Sequence, residues 1–101
     1  MAAPHVEFYS TDVPSAGTAV QIANTARKVL KVWVKGAEGN AGNTYFGDSS
    51  VSATVSGFSM PNVADGKWAE MDFTAAPPLQ SIFYVDAATS GDNVETVFLL
   101  Q

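Results

Sequence analysis

Val29-Leu30-Lys31-Val32-Trp33-Val34-Lys35 is the stretch that decides the fold class. β-Branched residues dominate it, and apolar residues alternate with polar ones, the period of a half-buried strand. A helix would need its apolar residues three and four apart. Side chains alternate across a strand, so Leu30, Val32 and Val34 share one face, the expected core face. Arg27, Val29, Lys31, Trp33 and Lys35 share the other.

Reading outward toward the C-terminus, residues 36–43 hold three glycines and two asparagines, the composition of a loop. Thr44-Tyr45-Phe46 resumes extended structure and stops at Gly47-Asp48. Residues 51–55 alternate Val or Ala with Ser or Thr, which suits a half-buried strand or an extended arm, and residues 57–61 read as irregular. Ala64-Asp65-Gly66-Lys67 is a turn entering the alternating stretch Trp68-Ala69-Glu70-Met71-Asp72-Phe73. Ala75-Ala76-Pro77-Pro78 is a connection, because two prolines cannot serve a central ladder. Residues 81–87 and 94–100 read as strands around the turn Ser90-Gly91-Asp92-Asn93, and pair in this reading as a terminal hairpin.

Toward the N-terminus, residues 6–10 make a first strand, followed by a turn at Asp12-Val13-Pro14-Ser15. Residues 17–22 are a second candidate. Ala19, Ala23, Ala26 and Leu30 also recur at helical spacing, but Asn24-Thr25 breaks that run and favours strand, turn, strand. The sum is an all-β chain, a small antiparallel β-sandwich, jelly-roll-like, with seven or eight short strands. Residues 8–101 form one domain in this reading, and residues 1–7 a flexible arm.

Composition narrows the function classes. A chain of 101 residues fits one domain and is too short to hold a deep substrate cavity within its core. It has no cysteine, which removes disulfides, thiolate metal sites and cysteine nucleophiles. Charged residues are only 15%, below the usual quarter or so, as for a surface that something covers. Residues 1–35 carry Arg27, Lys28, Lys31 and Lys35 against Glu7 and Asp12; the remainder carries Lys67 against eight acids. Nucleic acid is not an expected partner, since phosphate neutralisation needs a basic excess. No apolar run nears the roughly 18 residues of a membrane span, and the start lacks the pattern of a secretory leader, so cytoplasmic synthesis is expected.

No catalytic constellation emerges. His5 is the one histidine and lies in the expected arm, where a triad base would not be held beside its nucleophile. Gly57-Phe58-Ser59-Met60-Pro61 supplies half of a nucleophile elbow, with proline where the helix should start. Gly36, Gly39 and Gly42 are misspaced for a dinucleotide loop. Glu70 and Asp72 share one strand face, unlike carboxylates opposed across a cleft. Asp86 and Asp92 flank a turn and suit a Ca²⁺ ion or plain solvation; no calcium-loop pattern accompanies them. No catalytic, cofactor or metal residue is assigned, and the chain is not expected to be an enzyme.

The remaining candidate is an interface stripe of Arg27, Lys31, Trp33 and Lys35, with His5 on the arm. One account is a second buried face in which lysine stems cover the tryptophan. The other is an interaction surface, since Trp and Arg are favoured interface anchors and the cations suit acids of a neighbour.

Three segments carry a resemblance: Gly17-Thr18-Ala19-Val20-Gln21-Ile22; then Arg27-Lys28-Val29-Leu30-Lys31-Val32-Trp33-Val34-Lys35-Gly36; then residues 40–54, with Asn40, Gly42, Tyr45, Gly47, Ser49, Val51 and Ser52 in a recurring spacing. Together with Ile82-Phe83-Tyr84-Val85-Asp86-Ala87 and Gly91-Asp92-Asn93-Val94, the chain resembles small virion proteins of tailed bacteriophages, the capsid cement or decoration proteins. Residues 60–78 depart from the pattern, with Val63-Ala64-Asp65-Gly66-Lys67 in place of a Pro-Gly-Glu turn. The resemblance implies a jelly-roll-like, non-enzymatic subunit on the capsid exterior that bridges major capsid proteins. It implies a homo-oligomer as well, a trimer ahead of a dimer. Two alternatives stand beside it: a tail, baseplate or fibre accessory subunit, and a carbohydrate-binding module stacking sugars on Trp33, Trp68 or Tyr45.

Overall fold

Strand chemistry prevails along the chain. The computed structural model describes residues 4–52, 58–60 and 68–101, with eight strands among them: β1 (His5–Asp12), β2 (Val20–Gln21), β3 (Val29–Gly36), β4 (Thr44–Gly47), β5 (Phe58–Met60), β6 (Ala69–Asp72), β7 (Tyr84–Ala87) and β8 (Asn93–Leu100). One 3-10 turn, Gln80–Ile82, is the only helical element of the described residues. Residues 19–27 are extended or irregular apart from β2, so the helical spacing of the alanines there is not used.

The strands form two four-stranded antiparallel sheets, in the orders β1-β8-β3-β6 and β2-β7-β4-β5. Pairing links first with last, second with seventh, third with sixth and fourth with fifth. One long hairpin folded over on itself gives that arrangement, and it is the jelly roll. The expected hairpin between the last two strands is therefore not formed. β7 lies in one sheet and β8 in the other, and the chain crosses the sandwich at the turn between them. Gly91, at φ +90°, supplies the left-handed residue which that turn requires.

The core lies between the sheets. Along β8, Val94, Thr96, Phe98 and Leu100 point inward and are buried, while Asn93, Glu95, Val97 and Leu99 are half-buried on the outer side. Phe46 of β4 stacks on Phe83 at 5.1 Å, and Phe83 reaches Phe98 of the opposite sheet at 5.9 Å. Tyr9 of β1 meets Phe98 edge-on at 5.7 Å. This aromatic chain ties the two layers by area burial and favourable ring geometry.

Three boundaries differ from the sequence reading. The flexible arm expected at residues 1–7 overlaps the strand expected at 6–10; the strand prevails and extends to His5, with His5, Val6 and Glu7 opposing Leu100, Leu99 and Phe98. The ladder to β8 orders them; residues 1–3 lie outside the described ones. Residues 58–60, read as irregular, pair with β4. The expected strand at 51–55 begins with Val51 and Ser52 outside any strand, and its remainder lies outside the described residues.

The fourth difference concerns β3. Val29 opposes Leu100 and Lys31 opposes Leu99, so Leu30 is an extra residue, a β-bulge. Val29 is thereby fully buried with Val32 and Val34, and Leu30 is only half-buried. Local hydrogen bonds hold the bulge. The Val29 amide donates to the Pro78 carbonyl (2.8 Å), the Leu30 carbonyl accepts from the Phe73 amide (2.7 Å), and the Lys28 carbonyl accepts from the Gln101 amide (2.8 Å).

Candidate functional site

The residues of the expected stripe divide between two places. Lys31, Trp33 and Lys35 follow the bulge and stand on the outer face of the β1-β8-β3-β6 sheet. Strand register sets that face out in rows. Val6, Leu99, Lys31 and Asp72 form one row, and Phe8, Val97, Trp33 and Glu70 the next. Ser10, Glu95 and Lys35 form the third. The β1-β8 half of the face is mainly apolar and the β3-β6 half is charged.

The cations of this face already have partners within it. The Lys31 ammonium lies 3.5 Å from Glu70 and 3.9 Å from Asp72. The Lys35 ammonium lies 3.2 Å from Glu95 and 4.9 Å from the centre of the Trp68 ring. The Trp33 indole N–H donates to Glu70 at 3.2 Å. Such half-exposed pairs contribute at most about 1 kcal/mol each. Their larger effect is to fix the charges and leave little net field for a neighbour to answer. Asp72 is also held below the usual carboxylate range, first by the hydroxyl and amide of Thr74 and last by Lys31.

Apolar surface is what remains unanswered. Phe8 is 77% exposed and Val6 49% exposed, both on the outer side of β1. Phe8 and Trp68 flank an open depression of about 480 Å³ that also touches Ser10, Lys35 and Glu95. Sequence reading missed Val6 and Phe8 as site residues. The alternation of residues 6–10 shows that two sets of side chains part company there, but Tyr9 and Phe8 are equally plausible core residues. Only the contact of Tyr9 with Phe98 decides which one is inside.

His5 and Arg27 sit elsewhere, with the inward side chains of β1. Arg27 Nη2 donates to His5 Nδ1 (2.8 Å) and to the carbonyl of Gln101 (3.0 Å). A donor at Nδ1 leaves Nε2 as the protonated nitrogen of a neutral ring, which donates to Glu7 Oε2 at 3.0 Å. The Tyr9 hydroxyl donates to Glu7 Oε1 at 2.5 Å. The Tyr9 and His5 hydrogen bonds hold the Glu7 carboxyl below its ordinary range, and burial together with that carboxylate pushes the Tyr9 phenol up. The group fastens the start of β1 to the segment before β3 and to the C-terminus. It does not adjoin Lys31, Trp33 and Lys35.

The two aspartates weighed as calcium ligands fasten loops. Asp92 accepts from the amides of Ala41 (3.0 Å) and Gly42 (2.9 Å), and Asp86 from those of Gly17 (3.0 Å) and Ala87 (2.8 Å). A Cβ on Gly42 would stand 2.8 Å from Thr89 Oγ1, so a larger residue there would have to displace that hydroxyl. Among the described residues no group of three His, Cys, Asp or Glu side chains is placed to hold a metal ion, and no helix is long and apolar enough to cross a membrane. Comparison with protein-family models, with curated proteins and with solved structures finds no match.

Proposed function

We propose that this chain is a structural virion subunit that docks on the exterior of a bacteriophage capsid and braces neighbouring major capsid proteins. The observation that carries the proposal is the outer face of the β1-β8-β3-β6 sheet. It is a broad surface whose lysines are paired with acids of the same face and whose exposed residues include the large apolar Val6, Phe8 and Trp68. Such a surface suits a wide protein contact better than a small ligand. The resemblance of residues 17–98 to cement proteins supplies the class of partner, and the jelly-roll strand order accords with it. A protein that binds the assembled shell and not its free subunits stabilises the shell by mass action.

The sugar-stacking alternative loses support residue by residue. Tyr45 is only 7% exposed, Trp33 is tied to Glu70, and Lys35 lies over Trp68. A tail or baseplate position would use the same face. Co-sedimentation with undecorated capsids tests the proposal. The chain pellets with the shells and raises their melting temperature, and Phe8→Lys weakens binding at least tenfold. Failure of the unaltered chain to bind overturns it.

A further inference from the structure

A jelly roll of eight strands has four edges, and natural sheets guard such edges with brevity, charge, proline or bulges. β2 has two residues, β5 three and β6 four, with Glu70 and Asp72 on β6. β1 is different. It has eight residues, and its ladder with β8 runs from His5–Leu100 to Asp12–Asn93 without a register shift. It contains no lysine and no proline, and its outward side chains include the most exposed large apolar residue described, Phe8. Among the described residues no strand pairs with its far side.

We propose that β1 is a self-association edge, pairing antiparallel with β1 of a second copy across a two-fold axis to make one continuous eight-stranded sheet. The occupant is a second copy because the edge complements itself in a single register. Residues directly opposite in an antiparallel pair share a face, so the two outer faces stay continuous only when like-facing residues meet. Centring the axis on Glu7 opposes two carboxylates. Centring it on Tyr9 sets Val6 against Asp12. Centring it on Phe8 pairs the two Phe8 rings, sets Val6 opposite Ser10 and Glu7 opposite Tyr9, and ends the ladder at Pro4, which has no N–H to give. Isologous pairing of this kind closes at two copies, in place of the trimer that the resemblance favours. The proposal does not rest on capsid binding and would hold for a protein of another function.

Introduced thiols test it cleanly, because the chain has no cysteine. Under mild oxidation Phe8→Cys gives a disulfide-linked dimer and Val6→Cys alone gives none, while a mixture of Val6→Cys and Ser10→Cys chains cross-links to the heterodimer. In sedimentation the unaltered chain is a dimer. Phe8→Lys raises its dissociation constant at least tenfold with an unchanged circular dichroism spectrum, and Trp33→Ala leaves the dimer intact. A monomer or trimer of the unaltered chain overturns the proposal. So does self-cross-linking of Val6→Cys equal to that of Phe8→Cys, or loss of the dimer in Trp33→Ala.

Discussion

Glu7 shows how one side chain can fasten a strand. It takes hydrogen bonds from Tyr9 and from the neutral His5 ring, whose other nitrogen accepts from Arg27. These bonds favour the charged carboxylate, so its pKa is lower folded than unfolded. Stability from this source is complete above the unfolded value, near 4.5, and is lost as pH falls through the lower folded value. Glu7→Gln should therefore destabilise the protein at pH 7, with a gap to the parent that narrows below pH 4. Urea titration at the two pH values measures it; a gap that widens in acid contradicts the assigned bonds. None of this was legible in the sequence. His5 and Arg27 are 22 residues apart in the chain, and a lone histidine near a terminus gives no sign of its partners.

At the scale of elements, alternation located most strands. Val29 to Lys35, residues 94–100 and the stretch entering β6 all lie where the period-2 pattern put them. What alternation could not reveal was the extra residue. A strand read without a bulge makes Leu30 a core residue and Val29 an outward one, and the bulge at Leu30 reverses both. Val29→Ala should cost about 2 kcal/mol, and Leu30→Ala less than half as much, despite the larger side chain removed. Equal costs, or a larger one for Leu30, would mean a continuous strand. The placement of Lys31, Trp33 and Lys35 on one face survived because all three follow the bulge. Their pairing with Glu70, Asp72 and Glu95 depends on which strands neighbour β3, and one strand's pattern cannot say.

For the whole molecule, the sandwich class followed from short alternating strands and turn residues, whereas the strand order did not. The supposed terminal hairpin illustrates why. Val85 and Ala87 of β7 and Val94, Thr96 and Phe98 of β8 all face the core, and that pattern is the same whether the two strands pair or face each other across it. Sheet membership is decided by distant partners: β8 by β1 and β3, β7 by β2 and β4. The resulting molecule is 41 × 26 × 20 Å, with one sheet carrying the exposed apolar side chains of β1 and the internally paired charges of β3 and β6. That face is the basis of the proposed role as a capsid subunit. A cryo-EM map of tailed phage particles mixed with this chain tests the claim most directly. The account predicts eight-stranded sandwiches on the outside of the shell, the face bearing Phe8 and Trp33 turned onto major capsid subunits. A shell without them, or the chain found only in the tail, would contradict it.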